Sequence, residues 1–222
     1  TKFVTNQLLL KRDIDWCDTF FKSGVWTTQK EGVASGVGAG EFLQWNDSAS
    51  DPINDVSKWI IDFRELTGYS PNTMVIGANV LRELKNHPDI IDRIKYTQRG
   101  IVTEELLSTL FGVERIVTAY ATAASGAEIN DARDQDADAT YSFIADSKTA
   151  LLAYSPSAPS LMTPAAGYTF TWNGYAAGNG EGIRIKNFRQ EHIASDRVEG
   201  EMTYDMKVVA PDMGIFVKTA VA

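Results

Sequence analysis

Apolar positions recur mostly at steps of three and four as far as Phe111, and mostly in alternation or short runs beyond it. The first pattern is that of helices packing one face, the second that of strands. The opening TKFVTNQLLLKRDIDWCDTFF predicts a helix from Thr1 to about Ser23. Phe3, Leu10, Ile14, Cys17 and Phe21 fall on one stripe, Gln7 is its polar member, and Gly24 closes it. DPINDVSKWIIDFRELTG is the clearest element. Asp51 is an N-cap residue and Pro52 stands where a helix tolerates proline. Ile53, Val56, Ile60 and Phe63 share a face with Trp59 and Leu66 beside it, and Gly68 stops the chain.

TMVIG reads as a short buried strand and ANVLRELKN as a helix facing inward with Val80, Leu81 and Leu84. Pro88 cannot continue that helix but suits the first turn of a new one, PDIIDRI, with Ile90, Ile91 and Ile94 on its apolar side. VTEELLSTLFG is a further capped helix and VERIVTAY a strand. The run from Ala121 to Thr140, ATAASGAEINDARDQDADAT, reads as an exposed acidic loop. YSFIADSKTALLAY predicts a hairpin turning at Asp146 to Lys148. YTFTW and GIRIKNF read as strands around a glycine-rich loop, and RVEGEMTYDMKVVAPDMGIFVKTAV as two strands with a turn at PDMG. The expected class is α+β, without repeats or a clean linker.

Composition narrows the function. With 222 residues and 44% hydrophobic content, the chain can bury a substantial core. Its net charge of −8 disfavours a nucleic-acid reader. One cysteine, Cys17, excludes an internal disulfide and a cysteine zinc cage. No apolar run reaches the roughly 20 residues of a membrane-spanning helix, and the opening does not resemble a signal peptide. The helical pattern begins at the first residue with no cap before it, so Thr1 is expected to lie inside a longer natural chain.

Candidate chemistry is sparse. His87 lies beside Asp89 and Asp92 in NHPDIIDRIKY, where metal binding or acid/base work is conceivable. A helix junction with both aspartates in the first turn accounts for every residue there and is preferred. His192 stands near Glu191 and Asp196 at a strand end, a common surface arrangement. Asp134, Asp136 and Asp138 match the first ligands of a calcium loop, but Ala139 and Ala145 occupy the positions that need glycine and glutamate. Cys17 on an apolar stripe reads as a buried, inert thiol. Gly36, Gly38 and Gly40 lie in a loop-rich stretch from Val25 to Ser50, and the EFLQW after them reads as strand-like or irregular where a phosphate loop needs a helix, so a flexible loop is expected. Trp26 and Trp45 flank that glycine loop and are expected to anchor its ends by packing. No nucleophile elbow or zinc-protease motif occurs.

Several blocks, in order along the chain, together resemble the tailed-phage major capsid proteins of the Hong Kong 97 fold, in the branch called the major capsid protein E or coat family. They are FVTNQLLLKRDIDW, GVW with QWNDSASDPINDV, TGYSPNTMVIGANVLRELKNHPDIIDRIKYTQ, LFGVERIVTA, ALLAY with PAAGYTFTW, and RVEGEMTYDMKVVAPDMG. The resemblance implies a Hong Kong 97-like α+β fold, with a long spine helix, peripheral-domain strands and a mixed axial domain. It places residues 1–50 in the spine helix and loop of the peripheral domain and 51–165 in the axial domain. Residues 166–222 are strands returning through the axial to the peripheral domain. The family's N-terminal arm and extended loop have no counterpart, consistent with a missing N-terminal part. The acidic run, with Asp131, Arg133, Asp134, Asp136 and Asp138, falls where such proteins place subunit-contact loops near the capsomer axis.

The implied function is a structural subunit that assembles into pentamers and hexamers of an icosahedral head enclosing the DNA genome. It is not an enzyme and takes no cofactor or metal. Expected partners are copies of itself and other virion proteins such as decoration, scaffold or portal. Packaged DNA would be touched only weakly and non-specifically, and a membrane not at all. The expected location is the virion capsid, assembled in the bacterial cytoplasm. An encapsulin-like nanocompartment shell is the alternative on the same fold. A small metal-dependent hydrolase using His87, His192 and the aspartates is the alternative from another class.

Overall fold

The computed structural model describes residues 2–95, 102–125, 140–160, 162–172, 174 and 182–222. The order begins α1 (Lys2–Phe20), β1 (Thr28–Val33), β2 (Glu41–Leu43), α2 (Pro52–Thr67), β3 (Thr73–Gly77), α3 (Ala78–Asn86), α4 (Pro88–Ile94) and α5 (Glu104–Phe111). It continues β4 (Arg115–Ala119), β5 (Thr122–Ser125), β6 (Thr140–Phe143), β7 (Ala150–Ala153), β8 (Gly167–Thr171), β9 (Ile183–Gln190), β10 (Ser195–Met202), β11 (Tyr204–Val208) and β12 (Gly214–Lys218).

Helices and strands thus combine in a mixed α/β fold around a sheet ordered β2-β1-β12-β7-β3-β4. β7 runs antiparallel to both its neighbours, while β1–β2, β1–β12 and β3–β4 are parallel. Register decides which side chains share a face. Ile116, Met74, Leu152 and Ile215 stand opposite one another across four strands, and all are buried. α3 and α5 cover this face, and the Thr118 hydroxyl on it donates to Glu104 of α5 at 2.7 Å. The other face carries Val117, Val75, Leu151 and Phe216 in register. It is closed at the β12 end, where Phe21 meets Phe216 edge-on at 5.7 Å, and open towards β4, where Val117 is 45% exposed.

Local chemistry explains the helices. Asp51 caps α2 by accepting from Asn54 N at 3.0 Å, and Gly68 ends it in the left-handed region with φ 75. Thr103 and Gly112 do the same for α5. The buried stripe of α2 is Ile53, Val56, Trp59 and Phe63, so Trp59 belongs to the stripe; Leu66 is exposed. In α4, Ile90 and Ile94 are buried at a four-residue step and Ile91 faces solvent. Trp26 and Trp45 are both buried, anchoring the ends of the glycine loop as expected. Phe42, Trp45 and Trp59 form one aromatic cluster, with ring centroids 5.1 to 5.8 Å apart.

Strand partners depart from the sequence reading. The expected hairpin from Tyr141 to Tyr154 does not form. β6 pairs with β5, whereas β7 enters the central sheet between β12 and β3. Ala150, Leu151 and Leu152 are all buried, the mark of a strand covered on both faces, which a hairpin ribbon cannot supply. The acidic run is correspondingly not wholly a loop, since Thr122–Ser125 and Thr140 lie in that ladder. The C-terminal segment forms three strands, β10, β11 and β12, with a 3-10 turn at Pro211–Met213.

The first helix is also corrected. It ends at Phe20, its Phe3 is 74% exposed, and it lies against β10 and β11. Val4 and Leu8 are the side chains that crowd Gly200 of β10, so the contact stripe is not the Phe3–Leu10 line. Leu8, Leu9 and Leu10 point to successive sides of the helix, and periodicity alone could not choose among them.

Candidate functional site

The residues singled out for chemistry do not converge. Asp131, Arg133, Asp134, Asp136 and Asp138 lie outside the described residues. His192 is exposed in the short turn joining β9 to β10. Cys17 is half-buried on α1, and burial, assisted by Asp13 and Asp18, pushes its thiol up to about 11. Such a thiol carries almost no thiolate at neutral pH and is a poor nucleophile.

His87 is buried at the junction of α3 and α4. Its Nδ1 accepts from Asp89 N at 3.3 Å, which makes His87 the N-cap of α4 and places the ring proton on Nε2. Nε2 lies 3.0 Å from Ser50 Oγ and 3.3 Å from Asp47 O. Ser50 Oγ in turn donates to Asp47 O at 2.8 Å. Protons therefore run from histidine to serine and from serine to a backbone carbonyl. A nucleophilic serine needs the opposite direction, with a basic ring nitrogen accepting its proton. The Ser50–His87 pair is a clip between the 47–50 loop and the α3–α4 corner. Among the described residues, no group of three metal-binding side chains comes together.

The features that project are surfaces. β9 and β10 form a two-stranded ribbon in register from Ile183–Met202 to Gln190–Ser195. Its proximal half packs on α1, while its distal half is exposed and carries Phe188, Ile193 and Val198. Charges on the ribbon are matched locally: Lys186 with Glu201 at 2.8 Å, Arg189 with Glu191 at 3.1 Å, and Arg197 with Glu199 at 3.0 Å. A second ribbon, β5–β6, shows Tyr141 and Phe143 to solvent. Two-stranded ribbons are marginal in water unless something packs on them. Exposed aromatics there suit contact with another protein surface. Apart from isolated exposed apolar residues, no motif in the sequence distinguishes these ribbons.

No family model matches the chain. The major capsid protein of Burkholderia phage BcepMu is 43% identical over 74 residues, which are 33% of this chain and 24% of that protein. A crystal structure of a phage-related protein from Bordetella bronchiseptica RB50 superposes with a TM-score of 0.78 at 21% identity, covering 99% of this chain and 66% of the other. The chain is thus similar over a third of its length to a phage major capsid protein and shares its fold with a phage-related protein. The matched segment spans about a quarter of the curated relative, and the whole chain about two thirds of the solved one.

Proposed function

We propose that this chain is the shell-forming part of a phage or prophage head subunit, a structural protein rather than an enzyme. The 43% identity to a phage major capsid protein over 74 residues carries this reading. The shared fold and the projecting ribbons support it. The fold is read as Hong Kong 97-like, with α1 as the spine helix, residues 51–165 as the axial domain, and residues 1–50 and 166–222 contributing to the peripheral domain. Copies associate head to tail into rings of five and six, and the rings close into an icosahedral shell around DNA in the virion. Each contact need not be strong, because many act together. The segment with Asp131, Arg133, Asp134, Asp136 and Asp138 is assigned to contacts near the ring axis. A net charge of −8 suits a wall that releases the packaged genome.

Negative-stain electron microscopy of the protein, expressed in its full natural reading frame, tests the proposal. Rings, tubes or closed shells are expected. Dispersed monomers at every protein and salt concentration would overturn it, and an enzyme cargo retained inside shells would replace a head with a nanocompartment.

A further inference from the structure

An open cleft of about 920 Å³ lies between the C-terminal half of α1 and the sheet face that no helix covers. Val117 is the exposed part of its floor, with Val75 and Leu151 buried beneath it, and half-buried Trp16 of α1 stands at one wall over buried Phe20. The segment that follows β7 supplies the opposite wall with Tyr154, Pro156 and Pro159. The volume lies in the range of ligand-binding clefts. Its charged lining is Arg12, Asp13 and Arg115, a cationic excess in a chain whose net charge is −8. Arg115 Nε donates to Thr73 Oγ1 at 3.2 Å, and among the described residues neither arginine forms an ion pair.

We infer that this cleft binds an extended, carboxylate-bearing apolar peptide segment of a partner protein. A lining that is mostly apolar, with Val117, Pro156 and Pro159 in it, takes apolar side chains. Guanidinium groups match carboxylates in charge and in planar, two-pronged geometry. An open trough admits a chain that enters and leaves, unlike a closed pocket for a small molecule. Single-stranded nucleic acid fits less well. It needs a run of free aromatic faces for stacking, whereas of the aromatics lining this cleft Phe20 and Trp26 are buried, Trp16, Tyr154 and Tyr168 are half-buried, and Tyr120 alone is exposed. The cleft serves such a segment whether or not the chain builds a shell.

Tryptophan fluorescence reads the test, because Trp16 and Trp26 line the cleft. The probes are two pools of blocked hexapeptides with Leu, Val and Pro at the four central positions. One pool has Glu at both ends and the other Lys. The Glu pool is expected to bind at least tenfold more tightly than the Lys pool. The paired variant Arg12→Glu, Arg115→Glu reverses the preference. Ala153→Phe, which fills the floor, abolishes binding while thermal melting shows the fold retained; if it does not fold, the arginine variants decide alone. Equal binding of both pools, no binding of either, or no change in the arginine variants would overturn the inference. Tighter binding of a twelve-nucleotide oligo-dT than of the Glu pool would replace it with a nucleic-acid surface.

Discussion

The phenol of Tyr204 donates to Asp15 Oδ2 at 2.6 Å, tying β11 to α1 across the chain. Lys11, one turn earlier on the helix, holds the other carboxylate oxygen at 2.6 Å. One carboxylate thereby fixes α1 against the strands it lies on. The Lys11 hydrogen bond first, and that of Tyr204 second, hold the Asp15 carboxyl below its ordinary range, while burial and Asp15 push the Tyr204 phenol up to about 12.

Tyr204→Phe is expected to destabilise the fold by about 1 kcal/mol, less than is usual for a hydrogen bond to a charged group because Asp15 is partly solvated. The pH dependence follows from the depressed Asp15 value. Its contribution is complete above the ordinary carboxylate value of about 3.9 and is lost as pH falls through the lower folded value. Urea denaturation at neutral pH and near pH 3 checks this. The gap between wild type and variant should narrow in acid, and a gap that widens would contradict the assignment.

His87→Ala removes the N-cap of α4 and leaves Ser50 short of a partner in a buried site. A loss of about 2–4 kcal/mol is expected from the cap and the unsatisfied group together. Ser50→Ala should cost less, because His87 Nε2 still has Asp47 O within 3.3 Å. Equilibrium unfolding of both variants and of the double variant measures their coupling.

A Cβ at position 200 would run into the side chains of Val4 and Leu8, so Gly200→Ala displaces them and loosens the packing of α1 on the ribbon. Overpacking of this kind costs about 1–3 kcal/mol. Amide exchange should rise along α1 and β10 and stay unchanged in α2. Val4→Ala in the same chain should recover part of the loss.

Trp45→Ala opens a cavity among Phe42, Trp59 and the Asp55 carboxylate, to which the indole N–H donates at 3.4 Å. A loss of about 3–5 kcal/mol is expected, measurable as a fall in the denaturation midpoint.

Asp134→Lys tests the contact assigned to the acidic segment. The subunit should keep its melting temperature while ring formation shifts with salt concentration. Sedimentation at low and high salt would show unchanged assembly if the segment lies away from the contacts.

Local signals determined the helix ends, while β1 and the third C-terminal strand were not legible in them and β2 only ambiguously so. The Asp51–Pro52 start and Gly68 stop of α2, and the Thr103 and Gly112 ends of α5, were legible because a cap needs only neighbouring atoms. The His87 junction was legible for the same reason, through Pro88. The order of the quoted blocks carried the likeness to phage major capsid proteins, although no single block did.

Tertiary structure alone decided the partners. Alternation in 140–143 and the short apolar run 150–153 mark both as strands, but pairing depends on residues far away, and only the register against β3 and β12 explains why Ala150–Leu152 are all buried. Likewise Lys11–Asp15 is visible as a helical pair, whereas Tyr204 reaches it only after the chain has folded. Arg12 and Arg115 look like ordinary surface charges until the fold sets the end of α1 beside the open face of the sheet and brings both to one cleft. Sequence spacing encodes what a segment can bond within itself; the choice among competing long-range surfaces is made by shape, burial and the exclusion of water.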